Sequence, residues 1–169
     1  RLRRVHDGCR GGLDTFSCAG CHSIGGPNGA GAATQTTFFF GDGRHASAAL
    51  PRNPPAVLGL GFVQALAAER SRQLRGLRDE AIERARREGT PFSVALEVTN
   101  EVDYGELEAF PDGTLDTSRV QGVDEDLVIK PFGWKGHTAL LRRFAERGAR
   151  IHFGVQSHAL AVGHESEPD

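Results

Sequence analysis

Apolar positions fall into distinct regimes along the chain. Residues 1–61 are glycine-rich and irregular, with little periodicity. From Phe62 to Glu88 the pattern changes. Val63, Leu66, Ala67, Leu74, Leu77, Ala81, Ile82 and Ala85 recur at spacings of three and four, with charges between them. That spacing fills one face of a helix, so it predicts an amphipathic helix of about 25 residues, with Gly76 as a candidate break. Gly89 and then Thr90-Pro91 end it, because glycine accepts the cap geometry and proline cannot continue the helix. Ahead of it, "RNPPAVLGLG" (52–61) reads as an extended entry, because a residue preceding proline is pushed out of the α region.

Beyond the helix, "PFSVALEV" (91–98) and "YGELEAF" (104–110) read as strands. "PDG" at 111–113 is a turn and "TLDTSRV" follows, giving a small β-hairpin or meander over 92–120. "FGWKGHTALLRRFAERGARIHFG" (132–154) predicts a second helix, with His137, Leu140, Leu141, Phe144 and Gly148 on one face. No internal repeat is present.

Size and charge narrow the classes. The 169 residues suit one domain and can bury an ordinary core. No apolar run reaches the roughly 18 residues that a membrane span requires. The net charge is -2. The basic residues between Arg70 and Arg87 are offset by Glu69, Asp79, Glu80, Glu83 and Glu88, which reads as a solvated helix face and not a nucleic-acid surface. The chain opens "RLRRVHDG" and contains no Met, so it is expected to be a fragment or a processed chain.

The chemistry concentrates in "TFSCAGCHSIGGPNGAGA" (15–32). Cys18 and Cys21 are three apart and His22 follows at once, which is the attachment pattern of a c-type haem. Two thiols at this spacing reach the two vinyl groups of one porphyrin, and His22 then falls beneath the iron as the proximal ligand. Three other readings compete. A thioredoxin-like pair should open a helix inside a βαβ unit, and no such alternation surrounds it. A zinc site needs further ligands at suitable spacing, and only Cys9 and scattered histidines remain. A simple disulfide leaves His22 unexplained. Haem is the favoured reading. The loop "GGPNGAGA" lacks the Lys and Ser/Thr of a phosphate-cradling loop, and suits close passage of backbone past a cofactor.

Three segments in order, "FSCAGCHSIGGPNGAG", "LPRNPPAVLGLGFVQAL" and "KPFGWKGHTALLRRF", resemble the bacterial di-haem oxidoreductases related to di-haem cytochrome c peroxidases. The resemblance covers about residues 16–64 and 127–145. The helix 65–88 and the hairpin 92–120 fit an insertion between them. It implies a periplasmic protein with two c-haems, one relaying electrons and the other able to act as a reaction centre. Only one attachment motif is present here, so a second haem domain is expected beyond Asp169, or a separate redox partner.

The fold expected from this is mainly α. It is a single cytochrome c-like helical domain over 1–169 around one haem, with long loops and a small β-hairpin insertion at about 65–120. Haem c, one per chain, is the expected cofactor. The expected function is the N-terminal haem domain of a di-haem peroxidase-like oxidoreductase taking part in electron transfer. The alternative is a monohaem electron carrier without catalysis, and a non-haem metal site on Cys18, Cys21 and a distant ligand is a third reading.

The iron's second axial position separates relay from catalysis. Methionine is absent from the chain. Relatives carry a Gly-Met-Gln-like segment where this chain has Gly154-Val155-Gln156, so the resemblance leaves histidine. His152 is the first candidate, with His137 and His45 next and His158 close by. His6 and His164 are expected in solvent. Trp134, the sole Trp, is a candidate for the route between haems or a plain core anchor. Arg52 is the favoured cation for a haem propionate, ahead of Arg44 and Lys135. Phe38, Phe39 and Phe40 are expected to pack on the haem or in the core.

Overall fold

The computed structural model describes residues 17–20, 22, 37–39, 45–48, 50–52, 54–99, 102–155 and 157–158. The chain divides into two compact units, Gly61–Leu141 and the pair of segments Arg1–Leu60 and Arg142–Asp169 that flank it in sequence.

In the flanking unit, β1 (Thr37–Phe39) pairs antiparallel with β2 (Leu50–Arg52). Short 3₁₀ turns cover Cys18–Gly20 and Ala46–Ala48. Helix α1 (Leu60–Glu88) leaves this unit within its first turn, and α2 (Leu141–Phe153) returns to it. The end of α2 is closed by Gly154 in a left-handed conformation, with the Val155 N–H donating to the Ala149 carbonyl at 3.1 Å. That bond satisfies one of the carbonyls left open at the helix end.

The unit Gly61–Leu141 is built on α1 and a three-stranded antiparallel sheet, β3 (Phe92–Val98), β4 (Val102–Ala109) and β5 (Leu115–Asp116), in that order. Buried positions Ala67, Ser71, Leu74, Ala81 and Ala85 recur at helical spacing along α1. Leu96 and Val98 on β3, Leu107 and Ala109 on β4, and Leu127 complete one apolar cluster with Leu74, Ala81 and Ala85. The two-residue alternation on each strand follows from the pleat. Gly76 does not break α1, which runs unbroken from Leu60 to Glu88.

The expected mainly α, cytochrome c-like fold is contradicted. The architecture is an α/β mix of two helices and a three-stranded antiparallel sheet, with a separate two-stranded pair. The physical reason lies in the core cluster: half of its fully assigned members come from the sheet and not from helices. The second helix also begins at Leu141 and not at Phe132. Gly133, Lys135 and Gly136 have φ of 84°, 59° and 72°, which no right-handed helix accommodates. Residues 132–138 instead form a tight loop closed by a Phe132–Thr138 bridge.

Two devices set the sheet. Leu96 faces a register shift between Ala95 and Glu97, and Gly105 opposite it has φ of 83°. A Cβ there would run into the Arg119 carbonyl, so this bulge requires glycine. Across the helix, the Ser71 hydroxyl donates to the Ala67 carbonyl at 2.7 Å and accepts from the Ile129 N–H at 2.9 Å, tying the segment after β5 to α1. Asp126 accepts from the Val128 N–H at 2.9 Å, and Lys130 bridges Asp124 and Asp126 at 2.7 and 2.9 Å. Desolvation pushes the Asp126 carboxyl up, but the Lys130 bond and the Val128 N–H outweigh it and hold the group below its ordinary value. Hydrogen bonds from Thr114 lower Asp112, and those from Ser118 lower Asp116.

A lowered folded-state carboxyl contributes stability above its unfolded value and loses it as pH falls through the folded one. Stability of this unit should therefore decline below about pH 4. An Asp126→Asn variant should show a shallower decline in acid unfolding followed by circular dichroism. The glycines give a contrast of opposite sign. Gly76 lies within α1 with nothing within 4 Å of an added Cβ. Gly76→Ala should raise stability by about 0.5–1 kcal/mol in urea unfolding, and Gly105→Ala should lower it by more than about 1 kcal/mol.

Candidate haem attachment site

The Cys18–Gly20 turn carries the first cysteine of the motif. The backbone N–H of His22 donates to the Cys18 carbonyl at 2.8 Å, so one tight turn of chain separates the thiol from the imidazole. Cys18 is exposed and its thiol is in no disulfide. Cys21, Cys9 and the glycine-rich loop 23–32 lie outside the described residues.

The ring of His22 is held from the other side. Its Nδ1 lies 2.6 Å from the Pro55 carbonyl oxygen. A carbonyl only accepts, so in the neutral ring the proton sits on Nδ1 and Nε2 keeps its lone pair. This is the arrangement a metal-ligating histidine adopts when a backbone carbonyl fixes its tautomer. Pro55 stands outside helix and strand, because Pro54 and Pro55 keep this stretch extended and neither has an N–H to give to a ladder. Its carbonyl is therefore left to accept from the ring.

Other candidates are distributed between the two units. Arg52 is the last residue of β2, opposite Thr37. Phe38 and Phe39 lie in β1. Phe40 and Arg44 fall outside the described residues, as do His6, Gln156 and His164. His45 is exposed, and its carbonyl accepts from the Ala48 N–H at 3.0 Å. His152 is half-buried in the last turn of α2, and His158 is exposed. Val155 belongs to the α2 cap.

Trp134, Lys135 and His137 lie in the other unit, on the 132–138 loop. Trp134 is half-buried. Lys135 is exposed in a left-handed conformation that costs about 1–2 kcal/mol for a residue with a Cβ. His137 is exposed and not on a helix face. Its ring lies against Gly133, where a Cβ would collide with it, and its Nδ1 is 2.8 Å from the Thr138 hydroxyl. Among the described residues, no three His, Cys, Asp or Glu side chains gather as a metal-binding group. No helix among them is long and apolar enough to cross a membrane.

The structure thus brings Cys18, His22 and Pro55 together. The sequence reading missed Pro55. Its signal was the double proline itself, which leaves prolyl carbonyls outside any ladder. Comparison of the chain with family profiles, with curated proteins and with solved structures finds no match in any of the three.

The Pro55 contact makes a direct prediction. At mildly alkaline pH, nitrogen-15 NMR of the ring should find the His22 proton on Nδ1. A dominant Nε2–H form would break the contact and withdraw Nε2 as a donor.

Proposed function

We propose that the chain is a c-type haem protein that transfers electrons, and that it is the N-terminal haem domain of a di-haem peroxidase-like oxidoreductase. The observation that carries the first part is His22, whose Nδ1 is engaged by Pro55 and whose Nε2 is left as a ligand, one turn after the exposed thiol of Cys18. The residues fit a covalently attached porphyrin. Cys18 and Cys21 would hold it through thioether links, and His22 Nε2 would ligate its iron. The haem would supply one-electron chemistry at a potential tuned by the residues that ligate the iron.

The protein residues hold, orient and tune. Pro55 keeps the imidazole from rotating and raises its basicity through the Nδ1–H bond. Arg52 is the proposed partner for a propionate, Trp134 a proposed aromatic on the electron route, and His152 the proposed second axial ligand. The di-haem part of the reading rests on the three-segment resemblance. It requires a second haem domain or a redox partner, and an extracytoplasmic, periplasmic setting where haem c is attached. The single Cys-x-x-Cys-His motif in these 169 residues leaves open the second reading, a monohaem electron carrier.

Variants expressed with haem-attachment machinery test the assignment. Cys18→Ser should lower the yield of covalent haem on a denaturing gel. His22→Ala should retain covalent haem but lose the low-spin spectrum. His152→Ala should convert a low-spin ferric spectrum to a high-spin one. An unchanged spectrum in His152→Ala would remove His152 from the iron, and unchanged behaviour of all three would remove the haem reading.

A further inference from the structure

We draw no further inference here: the strongest candidate, the exposed apolar surface patch of Phe62, Val63 and Leu66 on the first turns of α1, carries nothing because nothing in the structure shows what covers it.

Discussion

Two adjacent prolines constrain the chain where it matters most. Pro54 and Pro55 cannot donate to a ladder, and they hold the backbone extended between β2 and α1. The Pro55 carbonyl, unclaimed by secondary structure, accepts from His22 across 33 positions of sequence. The same stiff stretch ends a few residues before α1 starts at Leu60. One local restriction therefore orients the candidate ligand and sets where the longest helix begins.

The Gly61–Leu141 unit is held together by different physics. It has its own apolar cluster, in which leucines of the helix and of the strands are sealed from water. Directional bonds add register to that burial. Ser71 ties the segment at Ile129 to α1, Gly105 permits the bulge opposite Leu96, and aspartates at 103, 112, 116 and 126 each accept from an N–H two residues on. The Cys18–His22 motif and the core of this unit thus lie in separate parts of the chain.

Much of the local structure was legible in the sequence. The helix over 62–88 and the strands over 91–98 and 104–110 follow from spacings of three to four and of two, and they stand within a few residues of the observed ends. The fold class was misjudged because strand residues were counted as an appendage, whereas Leu96, Val98, Leu107 and Ala109 share the core with α1. The start of the last helix was misplaced because His137, Leu140 and Leu141 match helical spacing, while the left-handed backbone at Gly133, Lys135 and Gly136 forbids it. The Cys-x-x-Cys-His pattern was legible from residue type and spacing alone. The carbonyl that orients His22 was not, since contacts so far apart in sequence leave no periodic trace. Arg70 was read as one cation on a solvated face, and only its burial sets it apart.

The central claim is that Cys18, Cys21 and His22 carry one covalently bound haem. Its most direct test is the intact mass of the purified chain, produced with haem-attachment machinery and measured after denaturation. The account predicts a single species heavier than the polypeptide by one haem, with the added mass retained on the peptide that contains Cys18 and Cys21. A chain at polypeptide mass, with both thiols free to alkylation, would contradict it.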